Sequence, residues 1–133
     1  MKEIKAYVRR EQVNQVAERL CAAGAPGVSI IEIRPLGYGY ESNPFAPHTA
    51  KLADRYRYLT IVKLEIMCSD PQFESLVRVI REQCGTGNPD DGMIFVSEIV
   101  DAIKIKDGLQ GEPALRVGRP GSSGVPQQTS ASA

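Results

Sequence analysis

Val62-Lys63-Leu64-Glu65-Ile66-Met67-Cys68-Ser69-Asp70-Pro71 is the stretch on which the fold turns. Val62, Leu64, Ile66 and Cys68 fall on one side of a period of two and Lys63 and Glu65 on the other. That pattern predicts a strand over about 58–68 with one buried face and one polar face. At Asp70-Pro71 the period changes. Asp70 reads as an N-cap and Pro71 as a first-turn residue, since a side-chain oxygen there can take an orphan N–H and proline lacks one. Phe73, Leu76, Val77 and Ile80 then recur at helical spacing, and Gly85 marks the stop.

Toward the amino terminus, Ile4, Ala6 and Val8 alternate with Lys5, Tyr7 and Arg9, which predicts a first strand. From Glu11 the spacing of Val13, Val16, Ala17 and Leu20 is helical, and Gly24 stands where a left-handed cap would end the helix. Residues 28–34, rich in β-branched side chains after the Pro26-Gly27 turn signal, read as a second strand. Toward the carboxyl terminus, residues 93–100 supply a closing strand. The order β-α-β-β-α-β predicts an α+β, ferredoxin-like sandwich.

Two segments stand outside this plan. Residues 37–55 form a connection longer than compact domains ordinarily use, which marks a functional or mobile loop. Residues 118–133 hold Gly, Pro, Ser and Gln and almost nothing to bury, so a disordered tail is expected after a domain over 1–117.

At 133 residues the chain has room for one domain. Its 16 Lys and Arg balance 16 Asp and Glu, which disfavours a nucleic-acid partner held by phosphate neutralisation. No apolar run approaches the roughly 18 residues a membrane span needs, and residues at the start alternate charge with apolar groups. A cytoplasmic protein without membrane insertion is expected. Cys21, Cys68 and Cys84 lack metal-ligand spacing and read as buried or half-buried thiols, with Cys84 at a helix end partly exposed. His48 has no companion ligand or nucleophile and reads as an exposed loop residue. No catalytic pair and no metal site is visible, so the chain reads as a binding protein rather than an enzyme.

The turn Gly85-Thr86-Gly87-Asn88-Pro89-Asp90-Asp91-Gly92 offers exposed backbone N–H groups before the last strand. Such a turn is either a phosphate cradle or a plain connection, and Asp90 and Asp91 argue mildly against an anion. The segment running on from this turn is more specific. Thr86, Gly87, Asp91, Gly92, Ile94, Phe95, Val96, Ser97, Asp101, Ala102 and Ile103 fit the signature of the PII signalling proteins, and Gly24, Gly27, Glu32, Gly37, Lys63 and Glu65 fall at family positions. The chain thus resembles the PII family over about residues 1–112, the long loop excepted.

The resemblance implies a homotrimer with adenine nucleotide in each cleft between subunits. It places Tyr7, Ser29 and Met67 around adenine and ribose, with Glu65 on the same strand as Met67. It places Gly37 and the backbone of Gly87, Asp91, Gly92 and Met93 near phosphates, with Lys104 and Lys106 reaching them. Lysine replaces the family's usual arginine at the last two positions, keeping the charge but not the planar fork. Without the resemblance, Lys104 and Lys106 read equally as a solvated strand face.

Tyr38 stands in place of a family arginine, Gly39 in place of the glutamine that helps hold the metal of Mg-ATP, and Met93 in place of a phosphate-binding lysine. Each lost phosphate contact removes a charge-assisted hydrogen bond of about 1.5–3 kcal/mol, so ADP or AMP should bind at least as well as ATP. No metal and no resident cofactor is expected. Asp54 occupies the place of the family's modified tyrosine, and the loop sequence differs from the family's partner-binding loop. In these departures the chain is similar to PII-like proteins associated with carboxysomes, whose inferred effectors include bicarbonate. Arg55, Arg57 and Lys104 are the candidates for a small-anion site. An unidentified protein would be regulated through the loop. The competing readings are an ordinary PII nitrogen regulator responding to Mg-ATP and 2-oxoglutarate, and a ferredoxin-like RNA-binding module, for which Tyr7 and Phe95 alone make a poor stacking platform.

Overall fold

The computed structural model describes residues 1–35, 61–88 and 91–116. The long loop with Gly37, Tyr38, Gly39, His48, Asp54, Arg55 and Arg57, and the tail over 118–133, lie outside the described residues.

The described chain runs β1 (Lys2–Arg9), a 3-10 turn (Arg10–Gln12), α1 (Val13–Ala22), β2 (Ser29–Ile33), β3 (Ile61–Cys68), α2 (Asp70–Cys84), β4 (Met93–Glu98) and a second 3-10 turn (Glu112–Leu115). The strands form one sheet in the order β2-β3-β1-β4, and every neighbouring pair is antiparallel. This is the predicted α+β, ferredoxin-like arrangement. Its physical logic lies in the register: Ile4 pairs with Ile66, Ala6 with Leu64 and Val8 with Val62, so the alternating apolar residues of the two central strands share one face. Those six are all but fully buried, with Val16, Leu20, Leu76 and Ile80 of the helices packed over them. Each large aliphatic side chain among them contributes about 1.5–3 kcal/mol by leaving water.

Three expectations are corrected. The N-cap of α2 is Ser69, not Asp70: Ser69 has extended backbone, its N–H donates to Gln72 Oε1 at 3.2 Å, and the pair closes a capping box. Cys21 is exposed, because α1 turns only Val13, Val16 and Leu20 inward. Cys84 is buried, not partly exposed, because the last turn of α2 lies against the core. Burial first, then the Asp91 charge, pushes its thiol up to about 11, against Arg9 and Arg19.

β2 is shorter than the predicted 28–34 and exposed along most of its length, as an edge strand pairing only with β3 is. Gly24 has the left-handed backbone expected of it, with φ 95°. No described helix is long and apolar enough to cross a membrane.

Candidate functional site

The sheet face turned away from the helices carries the odd-numbered side chains of β1, β3 and β4. Its rungs are Lys63–Tyr7–Met93, Glu65–Lys5–Phe95 and Met67–Glu3–Ser97, with Ser29 of β2 beside Glu65. Period-two geometry therefore brings Tyr7, Ser29, Glu65, Met67 and Met93, all named from the sequence, onto one surface. Tyr7 and Phe95 meet edge to face with centroids 5.7 Å apart. Lys63 Nζ sits 3.0 Å from Glu65 Oε2, and that hydrogen bond raises the Lys63 pKa above its ordinary 10.5, against desolvation.

The five are not gathered at one point. Tyr7 and Met67 stand two side-chain rungs apart, roughly 13 Å along the strands at the usual rise per residue. A cavity of about 270 Å³ opens at the Tyr7 end, where β1 finishes, β4 begins and α2 ends. Tyr7, Asp91, Gly92 and Met93 line it together with Ile80 and Cys84, and Arg81 stands at its wall. Gly92 has φ 113°, a conformation in which any side chain would be strained, so the turn can bring bare backbone to this wall.

Asp91 organises the turn. Its Oδ2 accepts the N–H of Thr86 at 2.6 Å and of Gly87 at 2.8 Å. Its Oδ1 accepts the Thr86 hydroxyl at 2.5 Å and Arg9 Nη2 at 2.8 Å. Burial acts to raise the Asp91 pKa, but the hydrogen bonds from Thr86 and Gly87 and the Arg9 charge outweigh it and hold the carboxyl below its ordinary 3.8. The N–H of Gly87 thus ends on a carboxylate of its own chain. The Arg9 link was not legible in the sequence, because it joins positions 82 apart.

Lys104 and Lys106 are elsewhere. β4 carries the chain from the cavity end, at Met93 beside Tyr7, to the opposite end, at Glu98 beside Lys2, before the segment that holds the two lysines begins. That segment is a small hairpin closed by Ile103 and Gln110, in which Lys104 Nζ donates to the carbonyl of Arg116 at 3.2 Å. Ile105 is almost wholly exposed on it and Ile103 is 62% exposed, and Val100 just before it is almost wholly exposed too. Neither lysine lines the cavity. Gly37, Arg55 and Arg57 lie outside the described residues. Among the described residues no group of three His, Cys, Asp or Glu side chains is placed to hold a metal ion.

Residues 1–109 match the family described as nitrogen regulatory protein P-II. The chain belongs to the P-II family. It is 32% identical over 115 residues to the P-II protein of Cereibacter sphaeroides, covering 86% of this chain and 100% of that one. It is 31% identical over 115 residues to the P-II homologue of Arabidopsis thaliana, covering 86% of this chain but only 58% of that longer one. Among solved structures it is similar to Arabidopsis thaliana PII bound to citrate, with TM-score 0.68 and 27% identity over 90% of this chain and 93% of that one. The P-II fold places Tyr7, Ser29, Glu65, Met67 and Met93 on one sheet face, gathers Tyr7, Asp91, Gly92 and Met93 at one sheet end, and carries the paired lysines on the segment that leaves the other end.

Proposed function

We propose that this P-II chain is a regulatory sensor that binds adenine nucleotides in clefts between the subunits of a homotrimer, signalling to a regulated protein through the loop over 37–55. The observation that carries the reading is the separation of Lys104 and Lys106 from the cavity at Tyr7, Asp91, Gly92 and Met93. A cavity with one wall of glycine backbone and with Lys104 and Lys106 outside its lining is half a site. A neighbouring copy can supply the other half. The bare apolar side chains Val100, Ile103 and Ile105 beside the lysines give that neighbour a surface to bury.

Ser29 and Met67, on the open face but away from the cavity, then serve a cleft formed with another copy. ADP or AMP binds at least as well as ATP in this reading, since Met93 stands at the cavity wall without a charge to offer a terminal phosphate. Bicarbonate is the proposed co-effector, as in the carboxysome-associated type. No chemical conversion is assigned to the site.

Calorimetric titration with AMP, ADP and ATP, each with and without bicarbonate and magnesium, tests the reading. AMP or ADP binding at least as tightly as ATP, with affinity altered by bicarbonate, supports it. Tight Mg-ATP binding strengthened by 2-oxoglutarate replaces it with the ordinary nitrogen-regulator reading. No adenylate binding at all removes the nucleotide from the site.

A further inference from the structure

The cavity where β1 finishes and α2 ends has two charged side chains in its lining, Asp91 and Arg81. Asp91 is already engaged: Arg9 Nη2 donates to it at 2.8 Å, and the hydroxyl and N–H of Thr86 and the N–H of Gly87 take its other acceptor positions. Cys84 is a neutral thiol at neutral pH. Val8, Ile80, Met93 and Ile94 give the lining its apolar side. Arg81 differs from all of these, since its guanidinium makes no hydrogen bond or ion pair with another described residue. Being exposed, it stands at the rim of the cavity rather than on its floor.

The backbone beneath that side chain is fixed. The Arg81 carbonyl accepts the Gly85 N–H at 3.0 Å, and a Cβ at position 85 would come within 2.7 Å of the same oxygen, so the helix closes this tightly only because residue 85 is glycine. The ordinary role of a basic residue in the last turn of a helix is to offset the helix dipole, and that needs only a charge. A guanidinium beside a cavity can do more, because its planar fork grips two oxygens of one phosphate at once.

We propose that Arg81 is a further specificity-determining residue of the nucleotide cavity, binding one phosphate of the ligand through its fork. This inference rests on the nucleotide reading above. Met93 has no charge to offer and Arg9 is bonded to Asp91, so among the described lining residues Arg81 is the cation left for a ligand. One such cation matches one phosphate, and AMP needs no other contact from this wall.

Calorimetry of the full chain, Arg81→Gln and Arg81→Lys with AMP and with adenosine tests the assignment. Arginine Nε–H signals are followed by NMR in parallel, that of Arg81 being the one Arg81→Gln removes. Arg81→Gln is expected to weaken AMP roughly tenfold, the effect of losing one charge-assisted contact at an exposed rim, and to leave adenosine unchanged. Arg81→Lys keeps the charge at the helix end without the fork, and should recover only part of the AMP affinity. The Arg81 signal should move with AMP and with inorganic phosphate, and stay in place with adenosine. Unchanged AMP affinity in Arg81→Gln overturns the proposal. So does equal weakening of AMP and adenosine, which is what a merely structural arginine would give, and full recovery in Arg81→Lys overturns the fork. If the wild type binds neither AMP nor adenosine, the nucleotide reading fails by itself. Inorganic phosphate then decides: movement of the Arg81 signal retains the phosphate contact, and a signal that stays in place overturns that too.

Discussion

Gln72 Nε2 donates to the carbonyl oxygen of Gly24 at 2.7 Å, so a side chain in the first turn of α2 holds the exit of α1. The same Gln72 closes the capping box on Ser69 through its Oε1. One amide therefore satisfies a helix start and a helix end that lie 48 positions apart. A carboxylate could not do both, since the first contact needs a donor and the second an acceptor.

Gln72→Ala should lower unfolding stability by about 1–2 kcal/mol, a cap plus a neutral hydrogen bond. Gln72→Glu keeps the box but places a carboxylate against the Gly24 carbonyl, and should recover only part of that loss. Urea denaturation of the two variants separates the local contact from the tertiary one.

Gly24 carries φ 95°, and an added Cβ would meet Gln72 Nε2 at 3.5 Å, an ordinary contact. Space is therefore available, but the backbone is not. Gly24→Ala should cost about 1–2 kcal/mol through left-handed strain alone, with the circular-dichroism spectrum unchanged and the urea midpoint lowered.

Leu64 is fully buried at the centre of the sheet, whereas Ile105 is fully exposed. Leu64→Ala should cost about 2–5 kcal/mol, the lost burial plus the cavity left behind. Ile105→Ser should leave the fold of one chain intact and weaken association between copies, which sedimentation velocity reads directly. Unaltered association would count against the proposed trimer contact.

The folded-state pKa of Asp91 lies below its ordinary 3.8, and this fixes the sign of its contribution to acid stability. Its stabilisation is complete above the unfolded value and is lost as pH falls through the lower folded value. Asp91→Ala should accordingly lose less stability than the wild type between about pH 5 and pH 2. Urea midpoints across that range give the comparison, and equal slopes would remove the Asp91 bonds from the acid transition.

Cys21 is exposed, Cys68 and Cys84 are buried, and burial raises the pKa of both buried thiols. Iodoacetamide at pH 8 should therefore label one site in the native protein, Cys21, and three after unfolding. Mass spectrometry of the intact and digested chain tests it.

Much of the fold was written in local patterns. The period-two runs at Ile4–Ala6–Val8 and Val62–Leu64–Ile66, and the helical spacing of Leu76 and Ile80, depend only on which neighbours share a face, so they can be read without knowing what covers that face. Burial of Cys84 follows the same spacing, four residues after Ile80 on the buried face of α2, and its place at the helix end hid it. Exposure of Cys21 needed the packed helix, which turns only Val13, Val16 and Leu20 inward.

The site divides along the same line. Sequence by itself determined the strand parity that puts Tyr7, Ser29, Glu65, Met67 and Met93 on one face, and the signature that ties residues 86–103 to the P-II family. Tertiary structure alone decided that Tyr7 and Met67 stand apart, that the lysines leave by the far end of the sheet, and that Arg9 and Asp91 meet across 82 positions. The physical reason is range. Periodicity and turn chemistry act over a few residues, whereas strand register and the closure of the turn on Arg9 are set by the packed sheet as a whole.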